Sequence, residues 1–101
     1  MYMLPLSYFF EMAECDPRIS VTHVGLYAAI IYYWHRLDCP GSFRVFAKEL
    51  MKLAKISSCT TYHKCIRDLN AYGYLNYEPS FDRKVGSLII FTSINHNQRN
   101  E

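Results

Sequence analysis

A chain of 101 residues, half of them hydrophobic and 20% charged, makes one globular domain with a core of its own and excludes a fold that must be held by staples. A formal net charge of +2 is too small to point to a polyanionic partner by itself. Its distribution says more, because residues 1–41 hold Arg18 and Arg36 against Glu11, Glu14, Asp16 and Asp38, whereas residues 42–101 carry a surplus of +4 (nine basic, five acidic).

No export signal is expected, since the apolar run Met1–Phe10 lacks a basic flank and is broken by Pro5 and Ser7. No membrane partner is expected either, because the apolar stretch Val24–Trp34 stops at His35-Arg36. Cys15, Cys39, Cys59 and Cys65 lack CxxC spacing and read as reduced thiols of a cytoplasmic protein.

Residues 1–19 read as an N-terminal arm and a short helix, with Leu6, Phe9, Phe10 and Ala13 on one face. Asp16-Pro17 breaks that helix, because the residue before proline avoids the α region. Residues 20–95 form the expected domain, followed by a polar, frayed tail at 96–101. Its first helix runs from Thr22 to Leu37 with Ser20 or Thr22 as cap. This helix is apolar on nearly every side, so it must be buried on nearly every side. A chain this small covers one or two of those faces. The remaining face is expected to meet the N-terminal helix or a second subunit, with Tyr27, Ile30, Ile31 and Trp34 as the candidate homodimer interface.

Asp38-Cys39-Pro40-Gly41 is a turn by composition, and Ser42-Phe43-Arg44 a short strand. A helix over Phe46–Lys55 is expected to bury Phe46, Leu50 and Leu53 and to leave Lys48, Glu49, Lys52 and Lys55 outside. Ile56 plugs the joint, and Ser57-Ser58 cap the next helix by accepting from the N–H of Thr60 or Thr61. From Cys59 to Tyr72 the apolar residues Tyr62, Cys65, Ile66, Leu69 and Tyr72 form one stripe, and Gly73 stands at C′. Cys59 and Cys65 read as small, semi-buried helix residues. Tyr74–Glu78 and Ser87–Ser93 then read as two strands around the loop Pro79–Gly86. The fold class is α+β, mostly α: a helix-turn-helix over 45–73 and a hairpin over 74–93, the layout of a winged helix, with an N-terminal helical extension.

A helix that enters a major groove needs an inner stripe as anchor and an outer face of short donors and long cations. Ser57, Ser58, Thr60 and Thr61 lie at the start of the 59–72 helix, where hydroxyls and free N–H groups suit phosphate. His63, Lys64 and Arg67 follow on the outer side, within reach of base edges or phosphates. Arg83-Lys84 at the hairpin tip fit a wing that tracks the backbone or a minor groove.

The run KELMKLAKISSCTTYHKCIRDLNAYGYLNYEPS, with a short loop and GSLIIF after it, resembles the winged helix-turn-helix of small bacterial transcriptional regulators. Ser58 stands for the cap of that pattern, Thr61 for its early threonine and Leu69 for the leucine eight residues on; Tyr72, Gly73, Tyr74 and Leu75 complete it. With LPLSYFFEM and TYHKC, the chain is similar to short winged-helix proteins carried by bacterial integrative elements. The resemblance covers about residues 42–93. Two features depart from it: the joint Lys55-Ile56-Ser57-Ser58 lacks the glycine often found there and is one residue longer, and the wing is light in arginine. The resemblance implies sequence-specific binding of double-stranded DNA, as a transcriptional regulator or mobile-element accessory factor, and the over-apolar helix adds the expectation of a homodimer. Two rivals are a winged helix used as a protein-interaction module in a replication or recombination assembly, and an excisionase-like protein that bends DNA.

An enzyme is not expected. The sequence has no nucleophile elbow, P-loop or dinucleotide-binding glycine pattern. His63 and Cys65 point to opposite sides of a helix, and His23, His35 and His96 have no close partners in sequence, so no metal or cofactor is expected.

Overall fold

Ser20 caps the longest helix among the described residues. Its backbone N–H donates to Nδ1 of His23, three residues on, at 2.9 Å, the reciprocal half of a capping box. The computed structural model describes residues 5–80, 82 and 84–91. The expected arm at 1–4, the cation Arg83, hairpin residues 92–93 and the tail at 96–101 lie outside them. The described residues form four helices and a three-stranded antiparallel sheet, an α+β arrangement that is mostly helical. No helix among them is long and apolar enough to cross a membrane.

Helix α1 spans Pro5–Ala13 and α2 spans Val21–Arg36. The expected interface on α2 is corrected: Tyr27, Ile30, Ile31 and Trp34 are at most 8% exposed within the single chain. Phe9 of α1 stacks on Tyr27 at 4.2 Å between ring centroids, and Phe91 meets both Tyr27 and Trp34. Helices pack on this helix from several sides, so its apolar circumference is spent inside one molecule. What stays exposed is a narrow line through Val21, Ala28, Tyr32, His35 and Arg36.

Strand β1 (Phe43–Val45) leads into α3 (Ala47–Ala54) and then α4 (Cys59–Ala71). Leu50 is buried as its spacing predicts, but Phe46, expected inside, is 47% exposed. Phe46 precedes the helix in an extended conformation and leaves its face before the 3.6-residue period begins. Lys55 closes α3 in the left-handed region, φ 63 and ψ 37. It therefore does the work that a glycine does in many helix joints.

Helix α4 buries Tyr62, Cys65, Ile66 and Leu69 and ends in a Schellman motif. The Tyr74 N–H reaches the Leu69 carbonyl at 2.9 Å, the Gly73 N–H reaches that of Asn70 at 3.2 Å, and Gly73 takes φ 90. Cys59, read as semi-buried, is exposed at the first helical position; Cys65 is buried, and that burial pushes its thiol up. Strands β2 (Leu75–Glu78) and β3 (Ser87–Phe91) pair antiparallel, and β3 sits in the middle of the order β1-β3-β2. Phe43 faces Ile89 and Leu75 faces Phe91, which places apolar pairs on the helix side.

The α1–α2 joint is tied to the end of α4. Asp16 accepts from the Arg18 Nε at 2.9 Å and its Nη2 at 3.0 Å, and from the Tyr74 hydroxyl at 2.8 Å. The Arg18 guanidinium lies 3.9 Å over the Tyr72 ring. These contacts hold the Asp16 carboxyl well below the usual carboxylate range, Arg18 most of all, and Tyr74 is pushed up to about 12 by burial and by Asp16.

Candidate nucleic-acid interface

The outer face of α4 is set by the inner one. With Tyr62, Cys65, Ile66 and Leu69 turned into the core, Thr60, Lys64, Arg67 and Ala71 fall in line on the opposite side at spacings of four, three and four. All four are exposed. Ser58 caps the helix, its Oγ accepting from the Thr61 N–H at 3.2 Å, so Thr61 is the partner of the two considered. Ser57, Ser58 and Thr61 gather there with Thr22, Lys55 and Ile56 around a shallow hollow. The unpaired N–H groups of a first helical turn and these hydroxyls make that hollow a polar, donor-rich corner.

Lys64 is not a free cation. Its Nζ lies 3.0 Å from Oδ2 of Asp68, and the same oxygen lies 2.9 Å from Nε2 of the buried His23. The Ser20 N–H can only donate, so His23 Nδ1 accepts and the ring proton sits on Nε2, where it is donated to Asp68. The hydrogen bond from His23 and then the charge of Lys64 hold the Asp68 carboxyl below its ordinary value, and Asp68 in turn raises Lys64. Sequence spacing hides this hub, because His23 and Asp68 are 45 residues apart. The one available signal was Ser20-x-x-His23, the spacing of a capping box.

His63 and Arg67 stand at the hairpin-side margin of this outer face. Both line a cleft of about 300 Å³ between α4, the β1–α3 junction and the β2–β3 hairpin, with Phe46, Tyr77 and Val85 among the other walls. His63 donates its Nδ1–H to the Cys59 carbonyl at 2.9 Å, which leaves Nε2 as the available nitrogen. Arg67 makes no ion pair among the described residues. Gly86 closes the hairpin against β1: a Cβ there would lie 2.7 Å from the Val45 backbone, and its carbonyl accepts from Arg44 Nη1 at 2.9 Å. Lys84 is exposed beside the cleft, its backbone N–H held by Asp82 Oδ1 at 3.0 Å.

The structure thus divides the predicted residues among four places. Ser57, Ser58, Thr60 and Thr61 gather at the start of α4, His63 and Arg67 enter the cleft, and Lys64 is engaged by Asp68. Lys84 stands on the hairpin loop. Phe46 and Tyr77, which sequence reasoning did not assign to the site, are its aromatic walls.

Family models, curated proteins and solved structures yield no match to this chain. All four cysteines are free thiols, and no three His, Cys, Asp or Glu side chains converge among the described residues.

Proposed function

We propose that the chain is a winged-helix protein that binds double-stranded DNA, acting as a transcriptional regulator or as an accessory factor of a mobile element. In this reading α3 and α4 form the helix-turn-helix, α4 lies in the major groove, and the β2–β3 loop is the wing. One observation carries it. Helix α4 turns the line Thr60, Lys64, Arg67 and Ala71 outward beside a capped, donor-rich N-terminus, and the only carboxylate on that helix, Asp68, is already paired. Thr60 and Arg67 reach base edges or phosphates, and Ser57, Ser58 and Thr61 hold the phosphate at the start of the helix.

Titration of a random-sequence duplex by fluorescence anisotropy at two salt concentrations tests the reading. Lys48, Lys52, Lys55, Arg67 and Lys84 are exposed and outside any ion pair among the described residues. If these five meet phosphates, affinity falls by about 0.9 log unit per contact per log unit of salt, roughly several hundred-fold between about 50 and 200 mM. Absence of binding even at low salt ends the proposal.

A second reading, a protein-interaction face, rests on α1. Leu6, Phe10 and Met12 are at least 36% exposed there, and Phe10 shares a groove with Ile19 and Val24 that Glu11 and Glu14 border. We place the homodimer on this face, since the α2 residues are used inside. Sedimentation showing only monomer at high micromolar concentration removes it.

A further inference from the structure

Phe46 has no role in the fold that its position explains. It occupies the N-cap of α3, where Ser, Thr, Asp or Asn normally accepts from the first turn, and it makes no cap bond. The residue is 47% exposed, and its ring stacks on no other ring among the described residues. It lines the cleft whose opposite wall carries Arg67 and His63. Tyr77 forms part of the same lining, with its hydroxyl 3.5 Å from Ser87 Oγ, and among the described residues a single carboxylate, Asp82, reaches it. One oxygen of Asp82 is occupied by the Lys84 N–H.

An exposed ring facing an unpaired guanidinium, in a cleft of about 300 Å³, is the pairing that single-stranded nucleic acid uses: a π-face for the base and a cation for its phosphate. A volume at the lower end of ligand pockets admits one planar heterocycle, not a large cofactor. We propose that this cleft takes one unpaired nucleotide of a DNA strand, its base on Phe46 and its phosphate on Arg67, with the Nε2 of His63 available to the base edge. The protein then prefers DNA with a single-stranded overhang or an unpaired base to fully paired duplex. This rests on the reading of α4 as a DNA-contacting helix and adds a substrate class to it.

The test compares a blunt duplex with the same duplex carrying a four-nucleotide overhang, by fluorescence anisotropy, for the native chain and for Phe46→Ser and Phe46→Trp. The native chain binds the overhang duplex roughly 5- to 100-fold more tightly. Phe46→Ser removes the ring and installs a favourable cap, so its melting temperature is unchanged or higher, while the overhang preference is lost. Phe46→Trp keeps the preference. Equal affinity of the native chain for both duplexes, or a preference that survives Phe46→Ser, overturns the cleft proposal and leaves duplex binding intact. Failure to bind either DNA overturns both.

Discussion

Asp68 holds two partners through one oxygen, and their relative weight can be measured. His23 is buried, with 6% of its side chain exposed, whereas the side chain of Lys64 is 71% exposed. Replacing Asp68 by Ala leaves the His23 Nε2–H without an acceptor in the interior, which costs about 1–3 kcal/mol. The exposed pair with Lys64 contributes far less, because water and salt screen it. In a domain of this size each kcal/mol moves the melting temperature by about 4–8 °C, so Asp68→Ala shows clearly in a calorimetric scan. Lys64→Ala stays close to the native chain. Asp68→Asn retains an oxygen acceptor for His23 and falls between the two. The acid limb gives a second readout. The folded carboxyl is depressed below the ordinary 3.8, first by the His23 hydrogen bond and then by Lys64, so its stabilisation is present above that value and is lost as pH falls below it. Asp68→Asn therefore flattens the acid limb. If Asp68→Ala and Lys64→Ala lower the melting temperature equally, or Asn is as costly as Ala, the assignment of His23 as the dominant partner is wrong.

Gly86→Ala forces a Cβ to within 2.7 Å of the Val45 backbone and pushes the hairpin off β1, with an expected loss of about 1–3 kcal/mol in urea unfolding; an unchanged midpoint would sink this close-approach account. Gly25→Ala acts in the opposite direction. The added methyl meets the Ala54 carbonyl at an ordinary 3.9 Å, and removing a glycine from mid-α2 is expected to stabilise by about 0.5–1 kcal/mol by the same measurement; a lower midpoint would mean α2 and α3 pack closer than described. At high pH, Tyr74 is raised from 10.0 to about 12, so its stabilisation is present below 10.0 and is lost as pH rises towards 12. The same limb, followed by circular dichroism, is shallower in Tyr74→Phe; an identical limb contradicts the role given to Tyr74.

Local chemistry was the legible part of this sequence. Ser58 before Cys59, and Gly73 after a stripe of period 3.6, locate α4 to within a residue, because cap and C′ positions act on their own neighbours. The β-rich run that contains Ser87–Phe91 and the α+β, mostly helical class follow from patterns of the same range. The use of α2 was legible in part: the N-terminal helix was one of its two expected covers, and Phe9 of α1 supplies that cover. Its apolar circumference states that it must be covered, but Phe9 and Phe91, which cover Tyr27, come from opposite ends of the chain. The site divides in the same way. The exposure of Thr60, Lys64 and Arg67 follows from helical spacing alone, whereas the partner of Lys64 depends on a histidine of another helix. Phe46 was misplaced because periodicity assigns a ring to a face only within a helix, and Phe46 precedes its first turn.

That pairing changes which charges are available to a polyanion. Residues 42–101 have nine cations. Within that count Lys64 is turned to Asp68 and Arg44 to the Gly86 carbonyl, while Arg83 and Arg99 lie outside the described residues. Lys48, Lys52, Lys55, Arg67 and Lys84 remain, and of these only Arg67 both belongs to α4 and lines the cleft. A guanidinium presents a planar fork that suits phosphate and base edges alike, so a single Arg can serve where one Lys cannot. In the proposed complex Arg67 is therefore the residue that links the groove-facing line of α4 to the hairpin, with the exposed lysines supplying field. Arg67→Lys keeps the charge and loses the fork. If the fork is what matters, that substitution weakens binding nearly as much as Arg67→Ala while leaving the salt slope of the native chain.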